Sequence, residues 1–282
     1  MQICGRTFGE SEIDWIRDQI KRHPELNRAT LSRLFCRHVG WLKHDGGLKE
    51  MSCRVAMLKL HRSNVIVLPL PGTKPEAAKT IRRTPQAEPK PLIQLDAKSV
   101  DLSMEAVNRK TSPLWNELID RYHYLGYSQS GGAQMRFFVY ASGELAALLG
   151  FSAAAWKAAP RDNFIGWTQN ERKKNLYRIV DNSRFLILPW IECKNLASRI
   201  LSRAARQLPG YWQKQYNYRP ALLETFVEKQ RFAGTCYKAA NWICVGQTQG
   251  RGKWDRQKAF DKPVKTIWLY PLDRRFKEAL CQ

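Results

Sequence analysis

Six prolines fall within residues 69–92, PLPGTKPEAAKTIRRTPQAEPKPL, amid little apolar content and several basic side chains. Proline fixes φ and has no N–H to give to a helix or a ladder, so no core element runs through such a segment. It reads as an extended, semi-rigid linker over residues 69–94. The 282 residues then divide into a domain of residues 1–68 and a domain of residues 95–282. No internal repeat relates the two.

The first domain reads as helical with a short β end. Ser11 can cap a helix over residues 12–22, with Ile13, Ile16 and Ile20 on one face and Pro24 after its end. Asn27 can cap a second helix, 28–38, carrying Leu31, Leu34 and Phe35, with Gly40 at the stop position. A turn at Gly46-Gly47 leads to a third helix, 50–62, and VIVLP follows as a strand. Three short helices with a wing-like end form a helix-turn-helix pattern, in which Arg33, Arg37, Lys49 and Arg54 would contact DNA. The other reading of the same pattern is a small protein-binding bundle with solvated arginines.

The second domain reads as mixed α/β around a central mixed sheet. A helix is expected at 104–121, then a hairpin of MRFFVYA and LAALLGFS joined by Ser142-Gly143. Further on, a helix at 170–178, strand SRFLILPW, helix NLASRILSRAARQL, strand LLETFVE, helix GTCYKAANW, strands from CVGQ and KTIWLYPL, and a closing helix FKEAL follow in turn.

Lys plus Arg number 47 against 25 Asp plus Glu, a formal charge of +22. Self-repulsion on that scale costs stability, and a polyanion both removes the cost and releases its counterions. Nucleic acid is the expected partner, double-stranded DNA first and single-stranded DNA second, ahead of an anionic membrane or an acidic protein. No run of about 18 apolar residues is present, so no membrane span is expected. Seven dispersed cysteines without a CxxC pair, behind a start with no signal pattern, read as reduced thiols in a cytoplasmic protein. No metal site is expected, since His123 has no cysteine at ligand spacing.

The order helix, hairpin, helix, strand, helix, strand, helix, strand resembles that of GNAT acyltransferases. The resemblance implies that the strand-to-helix turn at Lys194, Asn195 and Ser198 holds a coenzyme pyrophosphate, and that Tyr237 protonates a leaving thiolate. The turn ECKNLAS lacks the glycines of that motif. A closer resemblance runs over about residues 20–275. CRHVGWLKHDGGLKEMSCRVAMLKLHRSNVIVLP, RYHYLGY, GFSAAAWKAAPRDNFIGW, NSRFLILPW, NLASRIL, LLETFVEKQRFAGTCYKAANW and VGQTQGRGK match, in order, the DruA family. That family is named for the Druantia anti-phage defence system, and similar domains are joined to transposases in mobile elements. RYHYLGY also gives a weaker likeness to Mom-type enzymes that modify adenine.

Individual residues carry several readings. His123 lies between two tyrosines and can be a base contact or a packing histidine. Asp162 beside Arg161, in an expected loop, can be a held carboxylate or half of an ion pair. Asp181, Asn182 and Arg184 flank the central strand, where α/β sites are commonly built. Glu224 stands in an apolar strand, where a lone carboxylate is costly. It should have a cationic or hydroxyl partner, with Arg184, Arg231, Tyr237 and His123 the first candidates. Arg231 and Phe232 can grip a phosphate or a base. GQTQGRGKWDRQK, with Arg251, Lys253, Trp254 and Arg256, has the glycines, donors and stacking surface of a nucleic-acid loop.

Three functions remain in view. One is a DNA-binding component of a defence or mobile-element system, working with other proteins of that system. The second is a DNA-modifying enzyme with a pocket joining His123, Asp162, Glu224 and Tyr237. The third is a metal-dependent nuclease or transposase using Asp162, Asp181 and Glu224.

Overall fold

The computed structural model describes residues 1–71, 80–129, 131–250 and 262–282. The chain forms two compact units, Met1–Lys79 and Thr80–Gln282.

In the first unit a two-residue hairpin, β1 (Gln2–Ile3) and β2 (Arg6–Thr7), precedes α1 (Glu10–Arg22), α2 (Arg28–His38) and α3 (Glu50–Arg62). Helix α1 starts before Ser11, because Gly9 takes the cap position and Glu12 reaches back to its N–H. Asn27 caps α2 as its sequence suggests, accepting from Thr30 N–H at 2.9 Å. Ile16, Leu31, Phe35, Met57 and Leu60 close the core, with Phe8 stacked on Phe35 at 5.6 Å between centroids. One expectation fails in this unit: VIVLP forms no strand. The connection between α2 and α3 runs over residues 39–49, includes the expected turn at Gly46-Gly47 and is closed by a bridge from Leu42 to Leu48.

The second unit is mixed α/β. Strand β3 (Ile93–Gln94) leads to β4 (Leu102–Ala106), α4 (Ser112–Tyr122), β5 (Gln134–Ala141), β6 (Glu144–Ala153), α5 (Ala159–Ile165) and α6 (Gln169–Asn175). Then come β7 (Ile179–Ile187), β8 (Ile191–Glu192), α7 (Leu196–Tyr216), β9 (Leu222–Glu228), α8 (Thr235–Ala239), β10 (Ile243–Gln247), β11 (Lys265–Pro271) and α9 (Phe276–Leu280). Seven strands form one sheet in the order β10-β11-β9-β7-β6-β5-β4. Its pairs are antiparallel except β7 with β9, which α7 connects as a crossover.

The β5–β6 hairpin turns on Ser142 and Gly143, both at positive φ (49° and 85°), the backbone a two-residue primed turn requires. The helix expected from residue 104 instead begins at Ser112. Leu102 and Met104 point inward in alternation with exposed Ser103 and Glu105, and this period-two pattern makes an edge strand. Residues 80–94 are also not a free linker. Thr84 gives its N–H and hydroxyl to the buried Glu117 (2.7 and 2.8 Å), Ala87 is buried, and β3 pairs with β8.

Candidate functional site

Strands β7 and β9 pair only over Ile179–Asp181 and Leu222–Glu224, then part. A register shift opposite Gly150 and Phe151 bends β7 at the same level. The parting exposes backbone that must find partners, and Asn182 supplies them. Its Nδ2 donates to the carbonyls of Gly150 (3.2 Å) and Arg184 (3.1 Å), and its Oδ1 accepts from the Tyr237 hydroxyl at 3.0 Å. Thr225 Oγ1 donates to the Asn182 carbonyl at 3.0 Å. Burial pushes the Tyr237 phenol well above its usual range. Tyr237 thus closes a polar core network.

Glu224 belongs to a different set of contacts. Its side chain is fully buried and accepts from Ala155 N–H (2.8 Å) and from Arg161 Nη1 (2.9 Å). Arg161, equally buried, also holds Asp162 through Nε and Nη2 at 2.9 and 2.8 Å. Asp162 in turn takes Trp167 Nε1 at 3.2 Å and Arg172 at 3.3 Å. The ion pairs link two carboxylates with two guanidiniums, so the charges balance. The partner of Glu224 is therefore Arg161, in place of Arg184, Arg231, Tyr237 or His123. Arg161 and Asp162 stand in the first turn of α5 and not in a loop.

Asp181 lies beside Glu224 in register. Part of its surface stays accessible, but Oδ1 is sealed without a hydrogen-bond partner. Burial, then the Glu224 charge, push its carboxyl up, while Lys265, Arg184 and Arg161 pull less strongly downward. Burial likewise pushes Glu224 up against the pull of Arg161. No group of His, Cys, Asp and Glu among the described residues could hold a metal ion, so Asp162, Asp181 and Glu224 do not converge as ligands.

At the rim, the loop after α4 gathers an aromatic and basic cluster. The His123 ring stacks on Tyr124 (4.9 Å), and its Nδ1 accepts from Leu125 N–H at 3.2 Å. Tyr124 packs on Phe232 (5.3 Å), and the Arg231 guanidinium lies 5.2 Å from the Tyr124 ring centroid. Tyr124 and Phe232 are exposed by 38% and 49%, large enough areas to offer a stacking surface. Arg231 also pairs with Glu228 at 3.1 Å. Burial, then Arg184 and Lys265, push His123 down to about 4.

That depression has a consequence for stability. An unfolded histidine binds its proton near pH 6.5. The folded one stays neutral down to about pH 4. Between these values the unfolded state holds more protons, so His123 makes stability fall as pH falls through that window and is silent above it. The His123→Gln variant is expected to lose less stability than wild type between pH 7 and pH 4.5 in urea melts. Equal losses in the two proteins would contradict this assignment.

In the first unit, Arg33 and Arg54 both face Glu50 (3.9 and 3.7 Å), which offsets part of their charge. Arg37 is exposed, and Lys49 is half-buried at the start of α3. Arg251, Lys253, Trp254 and Arg256 lie outside the described residues.

The turn from β7 into α7 does not fit a coenzyme pyrophosphate. Leu196 N–H is taken by the Cys193 carbonyl (3.3 Å), and the Ser198 hydroxyl by the Asn195 carbonyl (3.1 Å). Pro189 removes one donor, and the exposed Glu192 sets a carboxylate on the turn. Lys194 and Asn195 are exposed, Asn195 with a left-handed backbone (φ 61°).

A feature not singled out from the sequence lies further along this helix. Ser198, Arg199, Ser202, Arg203 and Arg206 line one groove, with Val100, Asp101 and Leu102 of the opposite wall. Arg199 donates to the carbonyls of Ala97 and Val100, whereas Arg203 Nε is buried without an acceptor. The spacing of Arg199, Arg203 and Arg206 is that of one helical face, so the stripe was available in the sequence. None of His123, Asp162, Glu224 and Tyr237 lines this groove or the small cavity at Arg136 and Arg184.

The family described as "Druantia protein DruA" matches residues 59–267, about three quarters of the chain. The chain belongs to the DruA family. No curated protein matches it. Among solved structures, it is similar to the ribosomal-protein-S18-alanine N-acetyltransferase from Escherichia coli at 11% identity and a TM-score of 0.38. That match covers 61% of this chain and 95% of the other. It is also similar to a GNAT-family acetyltransferase from Streptococcus pneumoniae, at 11% identity and a TM-score of 0.39 over 61% of this chain and 100% of that one. No helix among the described residues of this DruA-family chain is long and apolar enough to cross a membrane.

Proposed function

We propose that this DruA-family chain is a DNA-binding component of a Druantia-type anti-phage system, gripping the phosphate backbone of duplex DNA. The observation that carries the reading is the arginine-lined groove of α7. Arg199, Arg203 and Arg206 have no carboxylate at ion-pair distance among the described residues, and Ser202 sets a hydroxyl beside them. Arginine and serine on a helix face are what phosphate oxygens take as partners, and such contacts position a duplex without reading its sequence. The formal charge of +22 supports the same partner. The rim of Tyr124, Phe232 and Arg231 adds rings and a guanidinium on which an unstacked base can rest, which suits single-stranded DNA as a second ligand.

Binding is favoured over modification of DNA by the places of the acidic and phenolic groups. Asp162 and Glu224 are held by Arg161, and Tyr237 by Asn182, so their polar atoms already have protein partners. Changing Arg199, Arg203 and Arg206 together to Gln is expected to weaken duplex binding by more than tenfold at 100 mM salt. It should also lower the slope of log K against log salt by roughly 2.7, about 0.9 per lost phosphate contact. An unchanged affinity and slope in this variant, with the fold intact by circular dichroism, would place the DNA elsewhere.

A further inference from the structure

Arg136 on β5, Gly150 on β6 and Arg184 on β7 form one row across three neighbouring strands. Arg136 stands opposite Gly150, and Gly150 opposite Arg184. With strands about 4.8 Å apart, the two arginine backbones are roughly 10 Å apart, within reach of one small ligand held between their side chains. Residue 150 has no side chain, and the Trp115 ring and the stem of Arg184 pack over it: a Cβ there would come within 3.0 Å of Arg184 Cβ and 3.3 Å of the Trp115 ring. Beside this packing opens a small cavity lined by both arginines together with Trp115, Tyr127, Ser128 and Ser183.

Both guanidiniums are half-buried and lack a carboxylate at ion-pair distance among the described residues. Arg184 donates only to neutral acceptors: the carbonyls of Gly126 (3.3 Å) and Ser183 (2.7 Å) and the Ser128 hydroxyl (3.0 Å). Arg136 donates to Asn116 Oδ1 (2.6 Å) and lies 5.2 Å from the centroid of the Trp115 ring, which fixes its plane. Trp115 is itself anchored by its indole N–H on the Phe137 carbonyl (3.2 Å). These contacts leave N–H groups on both forks unused. Burial pushes both guanidiniums below their usual range, in Arg184 against the opposing pull of Asp181. Two half-buried guanidiniums that line one cavity, neither with a carboxylate at ion-pair distance among the described residues, can draw an anion to it. The fork geometry of arginine suits a tetrahedral oxyanion, which can accept from both sides at once.

We propose that Arg136 and Arg184 form a binding site for a phosphate group, seated at the mouth of the small cavity they share and held between the two guanidiniums. The site lies on the sheet, apart from the α7 groove, and it stands whether or not the chain binds duplex DNA. The phosphate can be a free ion, that of a mononucleotide, or the terminal phosphate of a DNA strand. All three present the same oxyanion.

The test uses the full chain and the Arg Nε–Hε resonances in NMR, assigned with Arg136→Lys and Arg184→Lys. Inorganic phosphate is titrated against chloride at matched ionic strength. The expected result is a saturable shift of both the Arg136 and Arg184 signals with phosphate and none with chloride. Arg184→Lys, which keeps the charge and loses the fork, should weaken phosphate binding read at Arg136 at least tenfold, whereas Arg206→Gln in the α7 groove should leave it unchanged. A nucleoside monophosphate and oligonucleotides with and without a 5′-phosphate then identify the source by which one binds more tightly than the free ion. The proposal is overturned if neither signal moves with phosphate, or if Arg184→Lys leaves the affinity read at Arg136 as it was. Because the readout is inorganic phosphate, a chain that fails to bind duplex DNA can still pass, and one that binds duplex can still fail.

Discussion

Replacing Arg161 with methionine is expected to destabilise the Thr80–Gln282 unit by about 3–5 kcal/mol, the range measured when one partner of a buried ion pair is removed. Arg161 has no exposed surface and touches both Glu224 and Asp162. Without it, Glu224 keeps only the Ala155 N–H, and it lies next to Asp181, whose Oδ1 already lacks a partner. Two adjacent carboxyls without the guanidinium bonded to Glu224 must then be buried charged or take up protons, against only the more distant pull of Lys265 and Arg184, and either route costs stability. At about 2–4 °C per kcal/mol for a unit of this size, the thermal midpoint should fall by roughly 6–20 °C. Adding Glu224→Leu to Arg161→Met removes the stranded charge and should restore much of the loss. DNA affinity per folded molecule should hardly change in the single or the double variant. A loss below about 1 kcal/mol for Arg161→Met would contradict a structural role for the Arg161–Glu224 pair.

Local chemistry was legible in the sequence wherever the partner of a residue is close in the chain. Asn27 caps α2, Ser142-Gly143 closes the β5–β6 hairpin, and LLETFVE is the strand Leu222–Glu228. The cost of a carboxylate inside that strand was legible too, and pointed to a cationic or hydroxyl partner. Which partner was not: Arg161 is 63 residues away, brought to Glu224 by the packing of α5 on the sheet. Arg184 and Tyr237 are nearer in the topology but make their bonds to other atoms.

Elements that depend on tertiary pairing were the hardest to read. Leu102–Ala106 is a strand because β5 lies beside it, although its neighbourhood carries good helix formers. VIVLP has the side chains of a strand and no strand partner among the described residues. Residues 80–94 have a linker composition, yet Thr84 and Ala87 find a place against α4 that only the folded unit provides. The candidate rim was half legible: His123, Arg231 and Phe232 stood out, whereas Tyr124 joined them only through the loop geometry after α4. The arginine groove of α7 was written at helical spacing and drew no notice beside the glycine-poor turn that precedes it.

Duplex DNA affinity is expected to collapse with added salt. With 6–10 phosphate contacts, binding should weaken about 10³–10⁵-fold between 50 and 200 mM salt, since each contact contributes about 0.9 to the slope of log K. The formal charge of +22 and the arginines of α7, which have no carboxylate at ion-pair distance among the described residues, make contact numbers in that range reasonable for this chain. Contacts through base edges or apolar surface would respond far less, because they release few counterions. The most direct test of DNA binding is therefore a fluorescence-anisotropy titration of a labelled duplex with the full chain, repeated across that salt range. Backbone gripping predicts tight binding at 50 mM salt and a log–log slope steeper than about −5, for duplexes of unrelated sequence alike. A slope near zero, or no binding at 50 mM salt, would contradict it.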